Sequence, residues 1–280
     1  MISVILVQHN ELQLTWNAIG SLVSTQDRSF EIIVVDNASE GFEPERLRRD
    51  YPTVRIMLNG ENEGFGRANN RAAALATGDI LLFLNTDTEC RQPFFSHVEK
   101  RFSADPGLGI LGPRMSNPDG SFQLSAGNLP SFGREILDKG VSRLIRRRGS
   151  KVNTLLERRY SEPRYAGWVT GAALFIRGEL FRKLGGFDPG MFMYFEDKDL
   201  CKRARDAGFR VEFDPSFSVV HLKGGSSSTS LSPFLAGAYR TSQKRYYALH
   251  RPAWERALLA AYHLLLGARS ERRRQTSGTT

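Results

Sequence analysis

The sequence predicts an α/β protein with a mostly parallel central sheet that is covered by helices on both faces. Short apolar runs rich in β-branched residues alternate with segments whose apolar residues recur at helical spacing, an order typical of parallel sheets. With 280 residues, of which 40% are hydrophobic, the chain can fill one large core. Disordered and fibrous classes are therefore excluded.

The first part of the chain contains four predicted strands and two predicted helices. The strands are expected at residues 2–7, 31–35, 54–58 and 79–84, and the helices at residues 12–24 and 66–76. Polar clusters at residues 8–10, 36–39 and 85–88 follow three of the strands. Because ligands of such sheets bind outside the carboxyl ends of strands, these clusters predict a binding edge.

Regular patterns return after residue 168. Strands are expected at residues 169–176 and 210–213, and helices at residues 178–184 and 196–207 and then up to about residue 269. Residues 113–165 have weak periodicity and are interpreted as an insertion or mobile segment. We therefore expect a main domain at 1–230, with halves at about 1–112 and 113–230. A basic helical extension with a disordered tail is expected at 231–280.

The net charge of +9 is concentrated in two blocks. Residues 131–165 carry ten basic against four acidic side chains, and residues 239–280 carry nine against two. No nucleic-acid-binding motif accompanies them, so an anionic membrane surface or a lipid diphosphate fits this charge better than DNA or RNA. The apolar stretch at 257–268 is too short to span a bilayer, but its basic flanks fit an interfacial helix.

The N-terminal sequence and the cysteine usage both favour a cytoplasmic protein. The first ten residues lack the charged leader of a signal peptide. Cys90 and Cys201 lie far apart in the sequence without metal-ligand spacing, so we expect two reduced thiols.

Asp87 is the first candidate for chemistry. It follows five apolar residues, at an open strand end, where a hard divalent cation could take a carboxylate oxygen together with substrate phosphates. An ordinary polar turn after a strand is the alternative interpretation of the same pattern.

Three acids, Glu196, Asp197 and Asp199, lie at the start of a predicted helix after a strongly apolar segment. Acids in a first helical turn stabilise the helix dipole, which would explain them without any chemistry. A carboxylate that emerges from a buried loop could instead have its pKa tuned for proton abstraction. His221 follows two valines, and a core histidine is the simpler interpretation of it, with a base or a metal ligand as alternatives.

Two glycine-containing segments could approach phosphates. Residues 62–70 lack the third glycine of a dinucleotide fingerprint and the lysine of a P-loop, but their glycines would permit close backbone approach to a nucleotide. The loop beginning at Lys223 combines a cation, glycines and hydroxyls, which suits a diphosphate.

Six motifs, in this order and spacing, resemble the inverting glycosyltransferases of family 2, in particular the bacterial rhamnosyltransferase-like branch. The resemblance covers about residues 2–226 and rests on Val34-Val35-Asp36-Asn37-Ala38-Ser39, Asn62-Glu63-Gly64-Phe65-Gly66-Arg67-Ala68-Asn69-Asn70, Leu84-Asn85-Thr86-Asp87-Thr88, Trp168-Val169-Thr170-Gly171-Ala172-Ala173, Gly185-Gly186-Phe187-Asp188 and Phe195-Glu196-Asp197-Lys198-Asp199-Leu200-Cys201.

The resemblance implies a GT-A fold with a divalent cation, Mg²⁺ or Mn²⁺, as cofactor. It implies that Asp36 contacts the nucleotide base, that Asp87 and His221 hold the metal, and that Asp197 is the catalytic base with Glu196 beside it. The other substrate-binding candidates are Asn10, Asn62, Gly64, Asn69, Asn70, Asn85, Thr86, Trp168, Gly171 and Lys223. Asn85 and Asn69 depart from the family pattern, since many members have Asp and Arg there.

The implied reaction is inverting transfer of a sugar from a nucleotide-sugar donor in cell-surface polysaccharide synthesis. Rhamnose from dTDP-rhamnose is the expected donor, although UDP-linked sugars use the same scaffold. The expected acceptor is a saccharide or a polyprenyl-diphosphate-linked saccharide, reached from the cytoplasm by a protein peripheral to the membrane; a homodimer is left open. The alternatives are a sugar nucleotidylyltransferase and a non-catalytic module that binds anions or nucleic acid.

Overall fold

The computed structural model describes residues 1–137, 140, 155, 157–222 and 232–277, with side chains up to residue 265. Lys223 with its loop and the arginine run at 146–148 lie outside the described residues.

A parallel α/β unit forms the first part of the chain. Its strands and helices are β1 (Ile2–Gln8), α1 (Leu12–Thr25), β2 (Phe30–Asp36), α2 (Pro44–Asp50), β3 (Arg55–Leu58), α3 (Phe65–Ala73) and β4 (Ile80–Asn85). Strand β1 lies between β2 and β4, all in parallel register, with Gln8 opposite Asp36 and Val7 opposite Asn85. The polar clusters that follow these strands therefore meet at one edge of the sheet, as the sequence predicts.

The second part of the chain extends the same sheet. Its elements are β5 (Thr88–Glu89), α4 (Phe95–Ala104), β6 (Leu108–Ser116), β7 (Phe122–Gln123), β8 (Ala126–Gly127), β9 (Arg164–Tyr165), β10 (Trp168–Val169), β11 (Ala173–Arg177), α5 (Gly178–Lys183), α6 (Glu196–Asp206) and β12 (Arg210–His221). In the described part of the chain the main path of the sheet runs β3-β2-β1-β4-β11-β6-β12-β5. Strand β11 is antiparallel to β4 and β6, while β12 is parallel to β6. The sheet is thus mostly parallel, as expected.

Apolar residues of alternating strand positions fill both faces of this sheet. On one face Val4, Leu82 and Phe175 pack with Ile19 and Phe95 from helices α1 and α4. On the other face Ile5, Phe83, Leu174 and Ile176 pack against α3, α5 and α6. Burial of both faces explains why these strands read as continuous apolar runs.

Two predicted boundaries are corrected by the structure. Residues 169–176 do not form one strand, because β10 pairs with β8 in a separate two-stranded sheet and the chain returns to the main sheet only at β11, after residues 170–172. Strand β12 continues past Phe213 to His221, through an irregularity between Asp214 and Ser218 that accommodates Pro215. His221 is therefore the last residue of a strand.

Residues 113–165, interpreted as an insertion or mobile segment, supply ordered parts of the molecule. They contain the end of β6, the short strands β7 and β8, and a helical stretch at 132–137. Strand β7 pairs with β6, and β8 pairs with β10. The described residues of this segment thus add strands to the main sheet and to a second, two-stranded sheet.

The C-terminal extension consists of α7 (Pro233–His250) and α8 (Ala253–Ser277), which continues beyond the expected end near residue 269. Tyr246, Tyr247 and Leu259 of these helices form a buried cluster with Met191 and Phe195. Within the part of the chain that the structure describes, no helix is long and apolar enough to cross a membrane.

Candidate active site

The carboxyl ends of β1 and β2 form one end of the binding edge. The Gln8 side-chain amide donates to the buried Asp36 carboxylate and, over 2.8 Å, to Ser39 Oγ. The Ser39 backbone N–H donates to the second Asp36 oxygen over 3.1 Å, and the Asn10 backbone N–H donates to Ser39 Oγ over 2.8 Å. Asp36 and Asn10 therefore lie together in one fixed hydrogen-bonded group.

Asn37, which directly follows Asp36, joins this edge to the glycine-containing segment before α3. Its Nδ2 donates to Asn62 Oδ1 over 2.8 Å, and its Oδ1 accepts from Asn59 Nδ2 over 2.9 Å. Asn62 Oδ1 also accepts the Gly64 backbone N–H over 3.0 Å. Asn62 and Gly64 are thereby held beside the end of β2.

Gly64 has φ +81°, a conformation that disfavours residues with a side chain. A Cβ atom here would lie 2.4 Å from the Phe192 backbone oxygen, and the Phe65 N–H donates to that same oxygen over 2.8 Å. The close backbone approach expected at this motif is therefore made by another part of the protein, the loop that leads to the three acids.

The two asparagines of α3 are bonded to the protein. Asn69 Nδ2 donates to the Phe65 carbonyl over 2.9 Å, and Asn69 is buried. Asn70 forms two bonds of 2.8 Å with Phe187, one to its carbonyl and one from its N–H. These contacts fix α3 against the segment before α6, and substrate contacts of both asparagines stay predictions.

Asp87 and His221 meet beyond the end of β4, although 134 positions separate them in the sequence. His221 is the last residue of β12 and pairs with Thr88 of β5, which brings its Nε2 to 3.0 Å from Asp87 Oδ1. On the other side of the ring, His221 Nδ1 lies 3.0 Å from Gln123 Oε1. His221 is buried, and its ring connects two polar side chains, Asp87 and Gln123.

The chemistry of this Asp87–His221 pair, called the cation pair below, suits a divalent metal ion. An amide oxygen can only accept, so Gln123 favours the tautomer with the proton on Nδ1, which leaves a lone pair on Nε2 facing the carboxylate. A cation between the two groups would satisfy both. Among the described residues there is no cluster of three or more His, Cys, Asp or Glu side chains that could hold a metal ion. The remaining ligands would come from substrate phosphates and water, as is usual for Mg²⁺.

Residues 170–172, called the Gly171 turn below, connect the cation pair to the three acids. The Asn85 N–H donates to the Ala172 carbonyl over 2.9 Å, and the Gly171 N–H donates to Asp197 Oδ2 over 3.1 Å. Thr86, between Asn85 and Asp87, is buried. The end of β4, two residues before Asp87, and the helix that carries Asp197 are therefore joined through this turn.

Trp168 lies at the other end of this turn, in β10. The Lys198 ammonium group is 5.0 Å from the centre of the Trp168 ring and 4.5 Å from that of Phe195. An aromatic ring and a cation thus lie next to Asp197.

The three neighbouring acids have three different environments. Asp199 is fully buried; its Oδ2 accepts two hydrogen bonds from Arg203, over 2.6 and 2.8 Å, while His250 Nε2 lies 2.7 Å from its Oδ1. Glu196 is also buried, and its Oε2 has no hydrogen-bond partner among the described residues. Burial, and then the adjacent charge of Asp197, raises the pKa of Glu196 to about 8. Glu196 is therefore mainly protonated at neutral pH.

Asp197 is the half-buried member of the three. Besides the Gly171 N–H, it accepts the Lys198 backbone N–H at Oδ1 over 2.8 Å, so each carboxylate oxygen has one fixed donor. Both oxygens keep lone pairs for a further donor such as an acceptor hydroxyl. Of the three acids, Asp197 has the surroundings that suit a general base.

The backbone directly before these acids is strained. Tyr194 and Phe195 both have φ +69°, a left-handed conformation that costs a residue with a bulky side chain about 1–3 kcal/mol. Residues 194–199, called the acid turn below, therefore keep their shape only because neighbouring groups impose it.

Sequence reasoning missed several residues of this site. Gln123 had no signal, since it lies in the weakly periodic segment, and Asn37 and Asn59 were not singled out. His250 and Arg203, which hold Asp199, have no local pattern that points to the acid turn.

The fold and site together define a class of protein, the GT-A transferases, in which strand ends of a mostly parallel sheet face a nucleotide-linked donor. The chain belongs to glycosyl transferase family 2, whose sequence profile matches residues 3–195. It is a glycosyltransferase by this membership.

Relatives of known name cover most of the chain. An N-acetylglucosaminyl-diphospho-decaprenol L-rhamnosyltransferase of Mycobacterium tuberculosis is 30% identical over 252 residues, which are 86% of this chain and 82% of the relative. The rhamnosyltransferase WbbL of Escherichia coli is 27% identical over 232 residues, or 79% of this chain and 83% of WbbL.

Solved structures of low sequence identity share the fold. GalNAc-T7 with UDP, GalNAc and Mn²⁺ has a TM-score of 0.62 at 19% identity, covering 89% of this chain and 51% of GalNAc-T7. The mannosyltransferase PcManGT of Pyrobaculum calidifontis, in complex with GDP-Man and Mn²⁺, has a TM-score of 0.57 at 18% identity, covering 98% of this chain and 83% of PcManGT. These similarities support the GT-A fold predicted from the sequence.

Proposed function

We propose that this glycosyltransferase transfers rhamnose from dTDP-rhamnose to a lipid-linked N-acetylglucosaminyl diphosphate, with inversion at the anomeric carbon. The observation that carries the proposal is the 30% identity, over 86% of the chain, with a relative named for that transfer. The second rhamnosyltransferase, which covers 79% of the chain, supports the donor sugar.

The donor would lie along the edge formed by β1, β2 and β4. Asp36 would contact the nucleotide base, with Asn10, Asn62 and Gly64 around it. The cation pair is the part that fits Mg²⁺ or Mn²⁺, with Asp87 Oδ1 and His221 Nε2 as ligands. The bound ion would neutralise charge that develops on the leaving nucleoside diphosphate.

Asp197 would act on the acceptor. Its carboxylate takes the proton of the acceptor hydroxyl as that oxygen attacks the anomeric carbon from the face opposite the diphosphate. The carbon–oxygen bond to the diphosphate breaks as the new glycosidic bond forms, so configuration inverts. Trp168 and Lys198 would line the path of the acceptor.

A panel of substrates tests this proposal. The purified chain is incubated with dTDP-rhamnose, UDP-glucose, UDP-N-acetylglucosamine or GDP-mannose and a short-chain prenyl diphosphate of N-acetylglucosamine, in Mg²⁺, Mn²⁺ or EDTA. We expect a rhamnosylated lipid product that depends on a divalent cation. Transfer from another donor alone would reject the rhamnosyl assignment, and full activity in EDTA would reject the metal.

The same assay separates the alternative of a sugar nucleotidylyltransferase. That enzyme would form a nucleotide sugar and pyrophosphate from dTTP and a sugar 1-phosphate. We expect no pyrophosphate release from these substrates, and its appearance would overturn the transferase proposal.

We further propose that the enzyme contacts the membrane through α8. Trp254, Leu258, Ala261 and Leu265 recur at spacings of four, three and four, and all four side chains are exposed. The buried residues Glu255 and Leu259 lie on the adjacent face. An exposed apolar face on a helix from the more basic end of the chain is typical of interfacial helices.

Co-sedimentation with vesicles of phosphatidylglycerol and phosphatidylcholine tests this contact at low salt. We expect binding that falls with rising salt and is lost in the double variant Trp254→Ser, Leu258→Ser. Val23→Ser, at an exposed apolar residue of α1, is the control and should bind normally. A double variant that binds fully, or a wild type that buries this face in a dimer in solution, would overturn the membrane proposal.

A further inference from the structure

The strained acid turn is held in place by the C-terminal helix α7. Tyr239 packs its ring 5.6 Å from that of Tyr194 and 5.2 Å from that of Phe195, the two residues with left-handed backbone. Tyr246, almost fully buried, lies 5.6 Å from Phe195. Ser242 Oγ donates to the Met193 carbonyl over 2.9 Å. The neighbours that impose the strained conformation therefore come from α7.

The last residue of α7 reaches the acids themselves. His250 Nε2 lies 2.7 Å from Oδ1 of Asp199, while Arg203 binds its Oδ2. Asp199 is two residues from Asp197 in the first turn of α6. Fixing Asp199 therefore fixes the rotation of the helical turn that presents Asp197.

A third contact fastens α7 upstream of the acid turn. Arg245 forms two hydrogen bonds with Asp188, at 2.7 and 2.8 Å. Contacts at Asp188, at Met193 to Phe195 and at Asp199 are thus made by residues spread along α7. Helix α7 spans the whole approach to the acid turn.

The α7 residues that make these contacts lie outside the part of the chain that the family profile matches, which ends at residue 195. In the cation pair, Asp87 lies just after β4, His221 ends β12 and Gln123 comes from β7, and among the described residues no hydrogen bond joins the pair to α7. Dependence on α7 is therefore expected for the acceptor end of the site and not for the donor end.

We propose that α7 is a positioning element of the active site, in which His250 acts through Asp199 to orient Asp197 toward the acceptor hydroxyl. This inference rests on the proposed role of Asp197 as the base. It assigns the C-terminal extension a part in catalysis, in addition to its packing. His250 itself does not touch the substrate in this proposal.

The test compares His250→Leu with His250→Gln in the full chain. Leucine removes the group that bonds Asp199, whereas glutamine keeps an N–H donor near the position of Nε2. For His250→Leu we expect kcat per folded active site to fall at least ten-fold, with the donor KM within two-fold of wild type. His250→Gln should recover most of the rate. The concentration of folded active sites is measured by titration with the donor nucleotide, and kcat is calculated from it. A smaller folded fraction therefore does not lower the measured kcat.

His263→Leu is the matched control, because His263 is a histidine of the same extension whose Nε2 lies 2.9 Å from Gln243 Oε1. It should keep wild-type kcat. Ser242→Ala, a milder change that removes the bond to Met193, should lower kcat several-fold and keeps the inference testable if His250→Leu does not fold.

Two results would overturn the inference. The first is a normal kcat in folded His250→Leu and in Ser242→Ala. The second is an equal loss in His263→Leu, which would indicate general destabilisation. Failure of the base assignment is recognised separately, by a fully active Asp197→Asn.

Discussion

The cation pair and the acid turn are built in opposite ways. Asp87 and His221 are distant in the sequence, and the register of β5 and β12 brings them within 3.0 Å of each other. Glu196, Asp197 and Asp199 are neighbours in the sequence, and their burial and hydrogen bonds give each a different environment. Sheet topology therefore makes one end of the site, and local packing separates the roles at the other end.

This difference predicts that substitutions at the two ends of the site have different effects. Loss of the cation pair should weaken the use of donor and metal, whereas loss of the acid turn should stop transfer to the acceptor with donor binding intact. The four experiments that follow test that division, from the largest expected effect to the smallest.

Asp197→Asn should have the largest effect. Without a general base we expect the transfer rate to fall by about 10²–10⁴-fold, while the affinity for the donor nucleotide stays near that of wild type. Transfer is measured with the lipid-linked acceptor, and donor affinity by calorimetry. Asp206→Asn, at an exposed acid of the same helix, is the control and should remain active. Turnover at the wild-type level in Asp197→Asn would remove Asp197 from the mechanism.

Asp87→Asn should lower kcat/KM for the donor by about 10²-fold, because a metal ligand worth several kcal/mol is lost. Donor affinity is measured at increasing Mn²⁺ concentrations. The variant should need far more Mn²⁺ than wild type to reach the same donor affinity. Asp79→Asn changes an exposed acid before β4 and should behave as wild type. If donor binding and its metal dependence were unchanged in Asp87→Asn, the cation pair would not hold a metal.

Glu196→Gln should change the pH dependence of stability. The pKa of the Glu196 carboxyl is 4.5 in the unfolded chain and is raised by burial to about 8 in the folded one. Between these values the folded state binds the extra proton, so the stability that Glu196 contributes is complete below pH 4.5 and is lost as pH rises to about 8.

Glutamine does not titrate and keeps the neutral shape. The variant should therefore match wild type near pH 4 and become more stable above it, by on the order of a few kcal/mol at pH 8. Urea unfolding at several pH values measures the difference. A constant difference across this range would contradict a protonated Glu196.

Gln123→Leu should have the smallest effect, since Gln123 acts through His221. Loss of an oxygen that accepts from a metal-binding imidazole typically costs about 10-fold in metal affinity. Gln123→Glu retains an acceptor at this position and should need no more Mn²⁺ than wild type. Equal metal requirements in both variants and wild type would show that the Gln123 contact does not orient the ring.

The sequence was sufficient for the parallel part of the fold, because continuous apolar runs and polar strand ends are local signals. The path of β12 was not predictable in the same way. Asp214-Pro215-Ser216 has the composition of a turn, yet the strand continues through it to His221. The reversed direction of β11 also depends on pairing with β4 and β6, which no local pattern encodes.

The residues of the site also differ in whether a local sequence pattern predicts them. Asp87 was predictable from its place after a strand, and Asp197 only from resemblance, since three acids in four positions look alike in a sequence. The three acids can be told apart only in the structure, where Arg203 and His250 bond Asp199 and Glu196 is buried. His221 was a metal candidate only from resemblance as well, and the structure adds that β12 ends beside Asp87.

The Gly171 turn has a consequence for how this enzyme can diversify. It works as a spacer of fixed length, since its Ala172 carbonyl accepts from Asn85 at the end of β4 and its Gly171 N–H donates to Asp197. With the proposed roles of Asp87 and Asp197, the backbone would set the separation between the departing phosphate and the proton acceptor, whichever sugar or lipid is bound. New acceptors can be accommodated around Trp168 and Lys198 while this separation stays constant.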